Sequence, residues 1–396
     1  MSGVGMAVSA RVCQAGTGLT SGELASRTVD VRVLFINANR SAAYGGVERW
    51  MIDTARGLGA RGHGCTLLGR PGTAWLRAAA AAGAPVIDDI RGAWIARVFG
   101  VRRVMRKLRP DVVIAKAKKA ARMAAFGRAT GGGGRVVLFF GATHELDERR
   151  PFDRLTWRVL DAGIVVASAA ADWYAERGFG PRTKLHVLWK GVDASVFERA
   201  ATRGAAVRAA LGVAPDDVAI GTVGRLAWQK GLDDLLAAAR LVRARVPRAR
   251  FFVIGGGRDA ARIAALAADP ALDGAVTLLG QRDDVPDLLA AMDIVVQSSR
   301  REAMAQATLE AMAAGRAVVS TTTVGADEAI DDGVSGVLVP VRDTAALADR
   351  LVALALDPAR RRALGEAARQ RIAERFTTAH MLDRCEAVLQ AIVARA

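Results

Sequence analysis

The sequence predicts an α/β protein built from two doubly wound parallel sheets. Three observations support this: the length, the alternation of short β-branched runs with Ala- and Leu-rich stretches, and the repetition of that alternation in both halves. A chain of 396 residues is too long for one ordinary core, since domains usually hold roughly 100–200 residues. Strands that alternate with helices favour parallel sheets covered on both faces.

Five runs in each half are typical of buried parallel strands, because they are almost continuously apolar. The first half contains VRVLFIN (31–37), CTLLG (65–69), DVVIA (111–115), RVVLFF (135–140) and GIVVAS (163–168). The second half contains VAIGTVG (218–224), RFFVIGGG (250–257), AVTLLG (275–280), DIVVQSS (293–299) and AVVST (317–321). Ligands of such sheets bind at the carboxyl ends of the strands, so we expect a site in the cleft between the two domains.

The periodicity lapses over 185–206, and we place the hinge between the domains near 190–205. We therefore expect a first domain over 31–195 and a second over 196–375. Residues 1–30 lack the basic start and the apolar stretch of a secretory signal, and we expect a flexible extension. The closing segment 376–396 has apolar residues at helical spacing; it is either an ordinary terminal helix or one that crosses back onto the first domain.

The net charge of +16 suits an anionic partner, whether nucleic acid, a membrane surface or a phosphorylated substrate. Arginines occur in almost every segment, so charge alone does not choose among these. Aromatic residues make up only 5% of the chain, which disfavours nucleic-acid binding, since that usually needs stacking aromatics among the basic residues.

The three cysteines are isolated and form no CxxC pair, so we expect a cytoplasmic protein.

Arg225 directly follows the first strand of the second half, and Lys230 comes five residues later. Two cations at the carboxyl end of a strand can neutralise a diphosphate, each charge-assisted hydrogen bond contributing ~1.5–3 kcal/mol. A departing diphosphate accumulates negative charge, which fixed cations stabilise. The alternative is a solvated Arg and Lys on an ordinary loop.

Glu302 and Glu310 lie where a strand passes into a helix, which we predict from about Ala303 to Gly315. A fully helical segment would separate the two carboxylates by ~12 Å, too far for a close acid/base pair. They are suited instead to opposite ends of one extended ligand. The alternative is an exposed pair, because Glu is a good helix former.

Gly45 and Gly46 precede a helix, where paired glycines allow a ligand phosphate or hydroxyl to approach the backbone amides; the alternative is simple turn chemistry. His144 follows VVLFFGAT at the end of a strand and is either a hydrogen-bond partner of a substrate hydroxyl or a structural histidine.

No two aspartates are separated by a single residue, so we expect no Asp-x-Asp metal site. The GGG at 255–257 lacks the G-x-G-x-x-G spacing, which disfavours an NAD-dependent dehydrogenase.

Residues 91–128 are rich in Arg and Lys, with Trp94, Ile95, Val98 and Phe99 interleaved. This composition favours peripheral contact with an anionic membrane. The alternative is a solvated basic helix face.

Five ordered strings resemble the GT-B fold, retaining, nucleotide-sugar-dependent glycosyltransferases of family 4, and the likeness runs from about 31 to 390. These strings are GGVERWMIDTARGLGARGHGCTLL, VLWKGVDASVFE, GTVGRLAWQKGLDDLLAA, SSRREAMAQATLEAMAAGRAVVST and GADEAIDDGVSGVLVP. The resemblance implies two Rossmann-like domains that face each other across a cleft, and a terminal helix that packs on the first domain.

The resemblance also implies roles for individual residues. Arg225 and Lys230, beside Gly224, would hold the donor diphosphate, Glu302 the hydroxyls of the transferred sugar, and Glu310 the ribose of the nucleotide. Gly45 and Gly46 would approach donor and acceptor, and His144 would match the family's histidine near the sugar. Backbone amides would reach the donor from Ala303, Met304 and Ala305.

Three positions depart from the family's usual pattern. Ala303 and Ala305 replace frequent Gly or Pro, and Lys190 replaces the frequent Asn of an N-G-V-D turn. These changes leave the diphosphate contacts intact and bear on which sugar is transferred. The implied reaction retains the anomeric configuration, because the acceptor attacks on the face from which the diphosphate leaves, and it needs no metal or other cofactor.

Similarity to lipopolysaccharide core glycosyltransferases implies a glycan or lipid-linked acceptor at the inner face of the cytoplasmic membrane. The main alternative is a GT-B-like module that binds a nucleotide sugar without turning it over. That alternative predicts the loss of a cleft residue, yet Arg225, Lys230, Glu302 and Glu310 are all present. A nucleic-acid-binding protein is the less favoured alternative.

Overall fold

Two parallel sheets, each flanked by helices, form the architecture that the alternating pattern predicts. The computed structural model describes residues 30–39, 45–141 and 151–394. His144 lies outside these residues, as do positions 1–29 of the expected N-terminal extension. The predicted α/β class with two doubly wound sheets is confirmed.

The first lobe is a seven-stranded sheet with helices on its faces. Its strands are β1 (Arg32–Asn37), β2 (Gly64–Gly69), β3 (Val86–Ile87), β4 (Val112–Lys116), β5 (Arg135–Phe140), β6 (Ala162–Val165) and β7 (Leu185–Val187). Its helices are α1 (Gly46–Ala60), α2 (Ala74–Ala81), α3 (Trp94–Leu108), α4 (Lys118–Gly127), α5 (Pro151–Arg158) and α6 (Ser168–Glu176). The spatial order is β3-β2-β1-β4-β5-β6-β7, so the strand order reverses between β1 and β4, where ligands of such sheets bind.

The second lobe is a six-stranded sheet with its own helices. Its strands are β8 (Val218–Val223), β9 (Ala249–Ile254), β10 (Val276–Gly280), β11 (Ile294–Gln297), β12 (Ala317–Thr321) and β13 (Val337–Val339). Its helices are α7 (Ala194–Ala201), α8 (Gly204–Ala210), α9 (Leu232–Arg245), α10 (Ala260–Ala267), α11 (Val285–Ala290), α12 (Gln306–Ala313), α13 (Ala326–Ala329), α14 (Thr344–Leu356) and α15 (Pro358–Arg375), followed by the terminal α16 (Thr378–Ala394). The order β10-β9-β8-β11-β12-β13 reverses between β8 and β11.

The structure departs from the prediction in the segment after β11. The helix predicted from Ala303 begins only at Gln306, and residues 303–305 form an irregular loop. Gly315 takes a left-handed conformation just past the end of α12, as expected of a helix-terminating glycine. Strands β3, β7 and β13 were not predicted, because two or three residues are too short to show a periodicity.

The terminal helix α16 packs on the first lobe. A Cβ atom on Gly57 of α1 would lie 2.5 Å from a methyl group of Leu382, so glycine allows close approach of the two helices. Arg61 donates to Glu386 of α16 at 2.8 Å. One continuous hydrophobic core includes the α1 side of the first sheet, α12 and α16. None of the described helices has the length and apolar character needed to cross a membrane.

Candidate active site

Lys230 and Glu302 form an ion pair at the carboxyl edge of the second sheet. Lys230 ends a short 3-10 turn after β8, and Glu302 lies in the loop after β11; the lysine Nζ donates to the glutamate Oε1. Each side chain is 19% exposed. The pair is therefore shielded by its surroundings but still reachable by a ligand.

Arg225 lies at the same edge of the sheet. It lines a small recess together with Gly224, Lys230 and Gln297. Arg225 is exposed, and it forms no ion pair with any residue in the described ranges. Its guanidinium is therefore available to an anionic ligand that reaches Lys230.

A glycine fixes the position of Lys230 beside the β11 loop. Gly231 has a φ of 61°, and a Cβ atom there would collide with the carbonyl oxygen of Ser298. The Ser298 hydroxyl also donates to the Lys230 carbonyl at 3.0 Å. Only glycine permits this close approach, which brings Lys230 to the loop that holds Glu302.

Glu310 lies on α12 and pairs with the opposite lobe. Its Oε1 accepts from Arg49 Nη1 of α1 at 2.7 Å, and its side chain is only 8% exposed. Burial raises the pKa of Glu310, and the positive charges of Arg49 and Lys190 oppose that rise. The carboxylate therefore lies at the interface of the two lobes, in contact with Arg49 and in the field of Lys190.

Lys190 is a site residue whose importance sequence reasoning missed. It lies in the connection between β7 and α7, is buried, and donates from Nζ to the Met304 carbonyl at 2.8 Å. Burial lowers the pKa of Lys190; the charges of Glu302 and Glu310 oppose this effect, and Lys230 adds to it. The only signal in the sequence was the departure from the N-G-V-D turn, which says nothing of burial.

The start of α1 faces the start of α12. A Cβ atom on Gly46 would lie 3.6 Å from the Gln306 Cβ, and the Gln306 amide donates to the Gly191 carbonyl at 3.2 Å. Gly45 N donates to Glu48 Oε2 at 3.3 Å. The glycines predicted to approach a ligand are thus brought to the cleft beside α12.

Glu48, in the first turn of α1, connects this helix start to two strand ends, and sequence reasoning did not identify it. Its Oε1 accepts from Asn37 at the end of β1 at 3.3 Å and from the ammonium of Lys116 at the end of β4. These two strands flank the switch point of the first sheet. The buried carboxylate therefore joins α1 to the strand ends at the cleft.

The loop formed by Ala303, Met304 and Ala305 lies between Glu302 and α12. Ala303 and Met304 are buried, and Ala305 is the extended residue that precedes the helix. Gly325, with a φ of 75°, lies so close that a Cβ atom would collide with the Ala303 carbonyl oxygen. The loop is therefore fixed on one side by Gly325 and on the other by Lys190.

Glu328, three residues after Gly325, joins the two lobes. Its Oε1 accepts from the Ser168 backbone amide at 2.6 Å, and its Oε2 accepts from Trp189 Nε1 at 2.7 Å. Ser168 begins α6 of the first lobe, where backbone amides lack helical partners. Nothing in the sequence predicted this role for Glu328.

The structure thus brings together seven of the predicted site residues: Arg225, Lys230, Glu302, Ala303, Met304, Ala305 and Glu310. His144 is outside the described residues. The arrangement offers cations for a diphosphate and two separated carboxylates for hydroxyl groups. Among the residues that the structure describes, no cluster of His, Cys, Asp and Glu could hold a metal ion.

Two family models match the two lobes. Residues 44–196 match Glycosyltransferase Family 4, and residues 217–357 match Glycosyl transferases group 1. The solved structure of Anabaena HepE in complex with UDP-glucose superposes with a TM-score of 0.78 and 21% identity, covering 91% of this chain and all of that one. At this low sequence identity, the structural similarity is evidence for the fold alone. The chain belongs to the GT-B glycosyltransferases.

Curated relatives of this glycosyltransferase share its activity class. It is 25% identical to the lipopolysaccharide core biosynthesis glycosyltransferase LpsE of Rhizobium meliloti, over 86% of this chain and 94% of that protein. It is 37% identical to a D-inositol 3-phosphate glycosyltransferase of Saccharomonospora viridis, but there the match covers only 49% of this chain and 48% of that protein. The GT-B fold and the glycosyltransferase activity that the sequence resemblance implied are confirmed.

Proposed function

We propose that this glycosyltransferase moves a sugar from a nucleoside-diphosphate donor to a glycan or lipid-linked acceptor, with retention of the anomeric configuration. One observation carries the proposal: the Lys230–Glu302 ion pair lies beside the exposed Arg225 at the carboxyl edge of the second sheet. Cations and a carboxylate at one edge suit a donor that carries a diphosphate next to hydroxyl groups. The solved structure of HepE in complex with UDP-glucose makes UDP-sugars the first donors to test.

Each residue has a role in the proposed reaction. Arg225 and Lys230 hold the diphosphate and stabilise the charge that grows on it as the anomeric carbon–oxygen bond breaks. Glu302 accepts hydrogen bonds from the transferred sugar, and Glu310 binds the ribose hydroxyls. Ala303, Met304 and Ala305 present backbone groups to the donor, as Gly45 and Gly46 do from the first lobe.

Bond formation follows on the same face of the sugar. The acceptor oxygen forms the new bond to the anomeric carbon on the side that the diphosphate leaves, and its proton passes to the departing phosphate oxygen. Glu302 is paired with Lys230, and Glu310 is paired with Arg49 in the other lobe. Catalysis in this scheme comes from positioning and from the fixed cations, so we propose that no metal is required.

A donor screen with a product analysis tests this function. Nucleotide sugars should raise the midpoint of thermal unfolding, since ligands that bind the native state stabilise it by mass action. The product should then keep the anomeric configuration of the donor, as read from the anomeric proton coupling in an NMR spectrum. An inverted product would refute retention, and loss of transfer with EDTA, restored by Mg²⁺, would refute metal independence.

For the acceptor, we propose a lipopolysaccharide or another cell-envelope glycan, reached by peripheral contact of a cytoplasmic enzyme with the inner membrane face. The relative LpsE is a glycosyltransferase of lipopolysaccharide core biosynthesis, which supports this acceptor class. The first lobe also exposes large apolar side chains on neighbouring helices: Ile95 is 69% and Phe99 53% exposed on α3, and Phe152 is 70% exposed on α5. Helix α4 packs between them, and Phe126 of α4 contacts the Phe99 ring.

A flotation assay tests the membrane contact. Wild-type enzyme should float with vesicles that contain about a third phosphatidylglycerol and stay behind with pure phosphatidylcholine, because anionic lipid attracts the arginines of α3. Replacing Ile95 and Phe99 by Ser should abolish flotation, whereas the same change at the exposed Leu356 of the second lobe should not. Equal flotation of both variants would contradict the proposed surface.

A further inference from the structure

We propose that Lys190 is a positioning residue for transfer: it holds the donor loop, residues 303–305, and supplies the positive charge between Glu302 and Glu310 that donor binding requires. The inference rests on the proposed function and assigns a role to a residue outside the diphosphate contacts. Lys190 holds the loop directly, because its ammonium donates to the Met304 carbonyl at 2.8 Å.

Because of the position of Lys190 in the chain, this hydrogen bond links the two lobes. Lys190 follows β7, the last strand of the first lobe, while Met304 belongs to the second lobe. The contact therefore ties the connection between the lobes to the loop that leads from Glu302 into α12. A change in this contact shifts the two carboxylates relative to each other, because they flank the loop.

A buried ammonium is an unusual choice for a purely structural contact. Removing a lysine from water is costly, and a neutral side chain such as Asn, frequent at this position in the family that the sequence resembles, can also donate a hydrogen bond. The charged groups that act on Lys190 are Glu302 from the β11 loop, Glu310 from α12 and Lys230 from the turn after β8. Lys190 thus lies in the electrostatic field of both carboxylates, whereas Lys230 is paired with Glu302.

A bound diphosphate would change this balance of charge. It adds negative charge beside Lys230, which favours the protonated form of every neighbouring amine. Burial lowers the pKa of Lys190 in the free enzyme, and the negative charge of a bound diphosphate would raise that pKa. The complex then holds more protons than the free enzyme, and nucleotide affinity should fall as pH rises.

Calorimetric titration of UDP and of GDP into the full chain tests the inference, using buffers of different ionisation enthalpy at several pH values. The variants are Lys190→Met, which removes charge and hydrogen bond, and Lys190→Gln, which keeps a donor without the charge. Lys184→Met, at an exposed lysine just before β7, is the matched control. Wild type and the control should take up protons on binding the nucleotide.

We expect Lys190→Met to weaken nucleotide binding by about tenfold and to abolish proton uptake. Lys190→Gln should also lose proton uptake but bind the nucleotide more tightly than Lys190→Met does. If Lys190→Met does not fold, the result with Lys190→Gln alone tests the inference. Wild-type affinity and proton uptake in a folded Lys190 variant would overturn the inference and leave the proposed function intact. If no nucleoside diphosphate binds to the wild-type enzyme, the proposed function fails and the role of Lys190 falls with it.

Discussion

Arg49 of α1 and Glu310 of α12 form an ion pair across the two lobes, with 2.7 Å between Nη1 and Oε1. The carboxylate is almost fully buried, whereas the arginine side chain is 48% exposed. Glu310 is the residue to which we assign the donor ribose. In the proposed complex, the donor hydroxyl groups and Arg49 would compete for the same carboxylate, which would link nucleotide binding to the contact between the lobes.

The burial of Glu310 predicts a pH dependence of stability. Burial raises the pKa of Glu310 above its ordinary value of 4.5, so above pH 4.5 the unfolded chain loses this proton before the native chain does. The free energy of unfolding therefore falls as pH rises from 4.5 through the native pKa. Glu310→Gln has no such proton, so its stability relative to wild type should improve as pH rises.

Urea unfolding of both proteins between about pH 4.5 and 7.5 measures this difference. Glu366→Gln, at an exposed glutamate of α15, is the control and should follow wild type at every pH. A constant stability difference between Glu310→Gln and wild type over the whole range would show that the carboxyl group has an ordinary pKa in the native state.

Replacing Arg225 by Ala should depress turnover. The guanidinium is exposed beside Lys230, and its loss removes charge stabilisation of the leaving diphosphate. We expect kcat to fall by about 10²–10³ with the donor that the screen identifies. Arg248→Ala, at a surface arginine before β9, should leave kcat unchanged. Wild-type kcat in Arg225→Ala at saturating and subsaturating donor would remove Arg225 from the site.

Gly325→Ala should loosen the donor loop. The new Cβ atom would collide with the Ala303 carbonyl and lie 2.6 Å from the Ala167 Cβ of the first lobe. We expect a loss of about 1–3 kcal/mol in the free energy of unfolding. Gly333→Ala separates the causes: Gly333 has a similar φ of 73° but no neighbour within 4 Å of the new atom. Equal losses in the two variants would mean that backbone strain alone accounts for the effect.

Glu328→Ala should weaken the link between the lobes. It leaves the Ser168 amide and Trp189 Nε1 without their acceptor, which should cost about 1–3 kcal/mol in chemical unfolding. The exposed Glu198→Ala on α7 serves as the control. Similar stability of the two variants would show that water replaces the carboxylate at no cost.

The strands and the residues near their carboxyl ends were predictable because both are local in sequence. Buried parallel strands such as β5 and β12 are continuous apolar runs, and Arg225 and Lys230 lie in the segment that follows β8. The loop at 303–305 was predicted as helix because Ala, Met and Ala are good helix formers. In the structure Lys190 and Gly325 hold these residues from segments more than 20 positions away.

The contacts between the lobes were not predictable for the same reason. Arg49 meets Glu310 across 261 positions, and Glu328 meets Ser168 across 160. No periodicity or local motif marks one glutamate of a helix as the partner of a distant residue. Lys190 drew notice only as an unusual residue in a turn, and its burial depends on how the two lobes close around it.

Comparing the binding of UDP with that of uridine is the most direct test of the claim that Arg225 and Lys230 hold the donor by its diphosphate. Calorimetry should show that wild type prefers UDP, and that Arg225→Ala and Lys230→Met each reduce this preference by about ten- to a hundredfold. Glu310→Gln should weaken the binding of both ligands equally, since both carry the ribose. An undiminished preference for UDP in Arg225→Ala and Lys230→Met would contradict the claim.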